Sequence, residues 1–169
     1  MYKNFFSGLI FGIAMCLSVF ANAQKIAVVN IQAAILESEY GQSELQKLEN
    51  RPDYAALVVE SQSLIADVQA LDNEAQANSS NWSRERLAEY NRQRQFIAED
   101  LQVNNQRIQS EREAAVRQIN QTMNQRALTA LQELIDEEEV TLLLQESAVY
   151  HATEEHNLTP ELSVKLNSQ

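Results

Sequence analysis

The spacing of apolar residues divides the chain into a long helical middle set between short, continuously apolar runs. KIAVVNI (Lys25–Ile31) is short and β-branched, the pattern of a strand covered on both faces. A helix is expected from Ile31 to Glu49, broken at Arg51-Pro52-Asp53 because proline offers no N–H to the ladder and restricts its predecessor. Pro52 suits the first turn of a fresh helix, where Asp53 complements the positive end of the dipole. From Tyr54 to Ala77 apolar residues recur at Leu57, Leu64, Val68, Leu71 and Ala75, the steps of a coiled-coil seam. Asn78 to Ser83 clusters turn formers, and Ser83 is placed to cap a returning helix.

The return is expected from Arg84 to about Glu138, with no glycine or proline. Its seam reads Leu87, Tyr90, Ile97, Leu101, Ile108, Ala115, Ile119, Met123, Leu131 and Leu134, diluted by Arg94, Asn104, Glu111 and Gln118. A buried polar group without a partner costs about 1–3 kcal/mol, so these polar positions must face water or line a wide space between several arms. At 1.5 Å per residue the return spans roughly 75 Å, which makes the hairpin a protruding arm. The chain ends then form its root. VTLLL (Val140–Leu144) and AVYHA (Ala148–Ala152) read as two further strands at hairpin-like spacing, and a last helix starts with Thr159 as N-cap and Pro160 behind it, ending near Leu166. The expected class is α+β, mostly α: a β-rich root from 24–50 and 133–169, and an arm over 51–132 with its tip near 78–83. Ile26, Val28, Val29, Leu142, Leu143, Leu144 and Val149 make the root strands apolar on both faces. So small a unit cannot bury all of them alone. A core shared between chains is expected; a monomer whose arm folds back over its own sheet is the alternative.

Composition changes this picture at the N-terminus. Residues 1–23 carry one Lys3, an apolar run from Phe5 to Phe20, and Ala21-Asn22-Ala23, the layout of a cleaved secretory signal peptide. The run is too short for a membrane span, and Cys16 inside it is badly placed for lipidation. Its removal leaves 146 of the 169 residues, with Gly41 the only glycine and no cysteine. Disulfides and thiol chemistry are thereby excluded. The full chain has 13 basic and 24 acidic residues, a formal charge of −11. That argues against nucleic acid as a partner. The bases are not evenly spread, since eight arginines (84, 86, 92, 94, 107, 112, 117 and 126) lie on the returning stretch of the arm, 84–132, against six acids and leave that stretch slightly basic.

Residues able to carry chemistry are scarce. His151 and His156 in HATEEH stand one position too far apart for the inverted zinc-protease motif, so no metal site is expected. There is no phosphate loop or nucleophile elbow; neither enzymatic activity nor a cofactor is expected. Glu137-Glu138-Glu139 reads as a solvated helix end, and four Asn-x-Ser/Thr sequons as incidental. Trp82, the only tryptophan, sits in the polar tip either as a staple for the return helix or as a client or membrane contact.

The order of signal peptide, KIAVVNI with Gln32-Ala33-Ala34-Ile35, a Gln-rich charged hairpin and VTLLLQESAVYHATEEHNLTPELSVKLN resembles the Skp/OmpH family of periplasmic outer-membrane-protein chaperones. The resemblance implies a jellyfish-like homotrimer whose root holds three arms around a cavity that receives unfolded outer-membrane proteins without ATP. Carried onto this chain, client contacts fall on Leu57, Leu64, Val68, Leu71, Trp82, Leu87, Tyr90, Ile97, Leu101 and Ile108. Oligomer contacts fall on Ile26, Val28, Val29, Leu142, Leu144 and Val149. The acidic charge departs from the strongly basic members, so a lipopolysaccharide or membrane-surface contact would rest on Arg84, Arg86, Arg92 and Arg94. The competing reading is a structural or adaptor coiled coil of the envelope, which should show a continuous apolar stripe.

Overall fold

A computed structural model describes residues 25–168, so the expected signal peptide lies outside the described residues. Strand β1 (Lys25–Val29) leads into helices α1 (Ile31–Glu37) and α2 (Glu39–Glu49). Helices α3 (Pro52–Asn78) and α4 (Arg84–Glu137) follow, then β2 (Val140–Gln145) and α5 (Thr159–Asn167). The fold is mostly α, with a long helical arm and a small sheet. At 54 residues, α4 extends roughly 80 Å.

Local chemistry accounts for the breaks. Pro52 opens α3 with Asp53 in its first turn, and Ser83 caps α4 by accepting from Arg86 N at 3.2 Å. One break escapes the periodicity. Ser38 separates α1 from α2, its buried hydroxyl donating to Ile35 O at 2.6 Å and accepting from Gly41 N at 3.2 Å. The turn is so tight that a Cβ on Gly41 would stand 2.3 Å from Ile35 O. This close approach explains why the one glycine of the described chain is here. α4 ends through Glu139, held at φ 52° in the left-handed region, a conformation that costs a non-glycine residue about 1 kcal/mol or more.

The root departs from the expected three strands. Its sheet has two, β1 and β2, paired in parallel. A parallel pair needs a long crossover rather than a short turn, and here the whole helical hairpin supplies it. AVYHA is not a strand: Glu146–Ala148 form a single 3-10 turn, the chain beyond is irregular, and Tyr150 is fully exposed. The second edge of β1 is met instead by the approach to α5, with Leu158 N donating to Val28 O at 2.9 Å and Asn157 bridging Val28. Thr159 does not cap α5 either. Leu158 is the cap residue, Asn157 Oδ1 accepts from Thr159 N at 3.0 Å, and the Thr159 hydroxyl accepts from Asn30 N at 2.9 Å. That hydroxyl fastens the last helix to the start of α1.

The hydrophobic core lies wholly in the root. Ala27 and Val29 of β1, Ala34 and Ile35 of α1, and Leu158, Leu162 and Leu166 at the C-terminal end close over α4. Helix α4 contributes Ile119, Met123, Ala127, Ala130, Leu131 and Leu134, so the root begins well before residue 133. Ala127 and Ala130 are fully buried small residues, which lets the shorter helices approach α4 closely.

Candidate functional site

The arm is a two-helix ribbon, and its most covered positions are those between its own helices. Leu57, Leu64, Val68 and Leu71 on α3 and Ile97, Leu101 and Ile108 on α4 are half-buried in that seam. The polar seam positions resolve in two ways. Arg94 and Glu111 reach the ribbon's edge, where they pair with Asp72 and Arg51, and Gln118 is exposed. Asn104 neither faces water nor lines a space between arms. It is 4% exposed, and its amide donates across the hairpin to Leu57 O at 2.9 Å and Ser61 Oγ at 3.2 Å. Both helices are thereby held in one register, since a polar group satisfied at one place only is unsatisfied at every other.

The tip is a clasp of rings and ions. Trp82 packs on Tyr90 with ring centroids 5.4 Å apart, and the Arg86 guanidinium lies 5.1 Å from the Trp82 ring centroid. Tyr90 donates its hydroxyl to Asp72 at 2.8 Å, Arg94 donates to the same oxygen at 2.9 Å, and Arg86 holds Glu74 at 2.5 Å. Trp82 therefore staples the hairpin through Arg86 and Tyr90, while Leu87, one turn into α4, is 47% exposed. Of the four arginines at this end, Arg86 and Arg94 serve the clasp, Arg92 pairs with Glu89 along its own helix, and Arg84 makes no ion pair among the described residues.

The two sheet faces are unequal. Ala27, Val29 and Leu143 point into the core, whereas Ile26 and Leu142, register partners on the other face, are 43% and 47% exposed. Val28 shares that outer face but is buried beside Asn157, and Leu144 and Val149 are half-buried. Beside β2 opens a cavity of about 380 Å³ bounded by Ile31, Ile35, Leu131 and Leu144, with Asn120 in its wall. Asn120 donates to Val116 O at 2.9 Å, and its buried Oδ1 has no partner among the described residues.

The family model for outer membrane protein (OmpH-like) matches residues 25–166, the arm and the root together. The chain belongs to the OmpH-like family. A 2.83 Å crystal structure of a candidate outer membrane chaperone (OmpH-like) from Caulobacter crescentus CB15 is similar at 20% identity, over 85% of this chain and 84% of that one, with a TM-score of 0.47. No curated protein matches. Membership makes the protein a chaperone at the level of the family. Among the described residues no group of three or more His, Cys, Asp or Glu side chains is placed to hold a metal ion, and no helix is long and apolar enough to cross a membrane.

In this OmpH-like chain most of the exposed apolar side chains on the arm, Leu87 excepted, are ones that periodicity passes over. Val59, Ile65, Phe96 and Val103 are each about half exposed or more and lie off the seam. The seam rule selects residues covered by the partner helix, so it finds what holds the arm together. The useful signal for an exposed contact was the reverse, an apolar residue out of phase with the heptad.

Acid should open the clasp. The Arg94 guanidinium, then the Tyr90 hydroxyl, donate to Asp72 and hold its carboxyl below the usual range. A depressed carboxyl stabilises the folded tip above its unfolded pKa, and this is lost as pH falls through the folded value. Emission from Trp82 is expected to stay constant from pH 8 to 5 and to shift only below the ordinary carboxylate range. Asp72→Asn should give the shifted spectrum at neutral pH. An unchanged Asp72→Asn spectrum would remove the clasp from this account.

Proposed function

We propose that this protein is an ATP-independent periplasmic holdase: a homotrimer, exported by its signal peptide, that keeps unfolded outer-membrane proteins soluble between its arms. The observation that carries the reading is the exposure of Val59, Ile65, Leu87, Phe96 and Val103 along the two helices of the hairpin. Unfolded outer-membrane strands alternate apolar and polar residues. Scattered apolar points in a wet, charged setting match that pattern, and many weak contacts add through effective concentration while each stays easy to release. Seam residues Leu57, Leu64, Val68, Leu71, Ile97, Leu101 and Ile108 offer clients only their uncovered edges. A structural or adaptor coiled coil would need a continuous apolar stripe, and the arm's exposed apolar residues do not form one.

Trimer formation would use the outer face of the sheet at Ile26 and Leu142, extended by Leu144 and Val149, while Val28 and Val29 support it from within. A lipopolysaccharide or membrane-surface contact at the tip would draw first on Arg84 and the open edge of Trp82, since Arg86, Arg92 and Arg94 already hold carboxylates. The test is dilution of a urea-unfolded outer-membrane barrel into buffer containing the protein. Aggregation should be suppressed at about one trimer per client, and light scattering that falls only in large excess would reject the reading.

A further inference from the structure

The slightly basic character of residues 84–132 does not extend to the arm as a whole. Helix α3 carries Asp53, Glu60, Asp67, Asp72 and Glu74 with no basic residue, so the folded hairpin is acidic. Its paired carboxylates consume Arg51, Arg86 and Arg94. The exposed apolar side chains stand among acids of which some, Asp67 and Asp100, have no ion-pair partner among the described residues, while Glu74 is held by Arg86. Between α3 and α4 runs a groove of about 450 Å³ with Ala70, Leu71 and Ile97 along it, Phe96 as its wall, and Asp67 and Glu74 at its rim. Phe96 is 57% exposed, and Val103, 48% exposed, lies seven residues on and hence on the same face of α4. Asp100, four residues after Phe96 and three before Val103, shares that side. Neither Asp67 nor Asp100 makes an ion pair among the described residues. Arg107, in no ion pair among the described residues, stands a turn beyond Val103.

We infer that this groove takes polypeptide segments in which Lys or Arg adjoins an apolar side chain, and disfavours acidic segments of equal hydrophobicity. The inference rests on the holdase reading and deepens it. An apolar side chain beside Phe96 removes apolar area from water, and a neighbouring cation then lies within reach of Asp67 or Asp100. Each exposed ion pair is worth up to about fivefold in affinity, and like charge works against an acidic segment by a similar factor. Attraction at this range is screened by salt, so the preference should be salt-sensitive while the apolar part is not.

The test uses the full assembled protein and two fluorescein-labelled unstructured peptides with identical Phe and Leu positions, one spaced by Lys and one by Glu. Fluorescence anisotropy at low salt should show the Lys peptide binding at least fivefold tighter, with the gap closing in 0.5 M salt. Asp67→Asn with Asp100→Asn should shrink the gap at least twofold. Glu154→Gln with Glu155→Gln, which removes the same charge from the root, should leave it unchanged. Phe96→Ser should weaken both peptides together. Equal binding, tighter binding of the Glu peptide, or a gap equally sensitive to the root pair would overturn the inference. Suppression of barrel aggregation is read separately: if it persists without a peptide preference, the inference falls and the holdase reading stands. If suppression is absent while the groove variants still govern the gap, the holdase reading falls alone.

Discussion

Leu142→Asp is expected to turn the proposed trimer into folded protomers, with the mass in sedimentation velocity dropping to that of one chain and the helical circular dichroism unchanged. The two outcomes separate because Leu142 is 47% exposed in the single chain and faces Ile26, itself 43% exposed. An aspartate there meets water in a lone protomer and costs little. Between protomers it would be an unpaired charge among apolar side chains, at several kcal/mol per site. Three such sites in a symmetric assembly would exceed what an interface of modest size supplies. Ile26→Asp should behave the same way. Leu144 is a poorer probe, because it is half-buried beside the core and a charge there would also disturb the protomer. An unchanged mass for both Leu142→Asp and Ile26→Asp would remove the shared root from the proposal.

The arm was legible in the chain because its rules are local. Pro52 at a helix start, Asn78 to Ser83 as a turn, the Ser83 cap and a heptad seam each depend on a few adjacent residues, and α3, α4 and the tip follow from them. The root is held by long-range contacts, and there local reading failed in identifiable ways. AVYHA has strand composition, but a strand needs a partner. The free edge of β1 is taken by Asn157 and Leu158, so nothing remains for residues 148–152 to pair with. Thr159 was placed one step from its true neighbour because its hydroxyl answers Asn30, 129 residues away in sequence. Ser38 was passed over because its break does not interrupt the apolar pattern. Only its two hydrogen bonds and the tight approach at Gly41 reveal it.

The candidate surface shows the same division. Periodicity identifies residues that face a partner helix, so it returned the arm's own seam along with Tyr90 of the clasp. Asn104 looked like a defect in that seam; its partners, Leu57 O and Ser61, lie on the facing helix. The returning stretch of the arm, residues 84–132, is slightly basic when counted alone. Arg86 and Arg94 meet acids of α3 only when the hairpin closes, and with Arg92 on Glu89 three of the four arginines near the tip are already engaged. A charge count along one helix is therefore a poor guide to the field around two.

Leu162→Ala is expected to destabilise the protein far more than any single substitution on the arm. Leu162 is completely buried, in the same cluster as Ile35, Met123, Ala127 and Leu134. Leucine to alanine at such a site costs about 2–5 kcal/mol through lost transfer energy and the cavity left behind. The cluster is the only sizeable core among the described residues, and a domain of this size has about 5–15 kcal/mol in total. Leu101, half-buried between two otherwise exposed helices, can relax toward solvent when truncated, so Leu101→Ala should cost about 1 kcal/mol. In urea, where a chain of this length loses about 1–3 kcal/mol per molar, the Leu162→Ala midpoint should fall by about 1–3 M and that of Leu101→Ala by less than about 1 M. Both must be measured at one protomer concentration, because assembly links stability to mass action. If the root holds the molecule together, Leu162→Ala should also lower the assembled mass at dilutions where Leu101→Ala remains intact. The reverse order of midpoints would mean that the arms, rather than the small core beneath them, carry the stability of the fold.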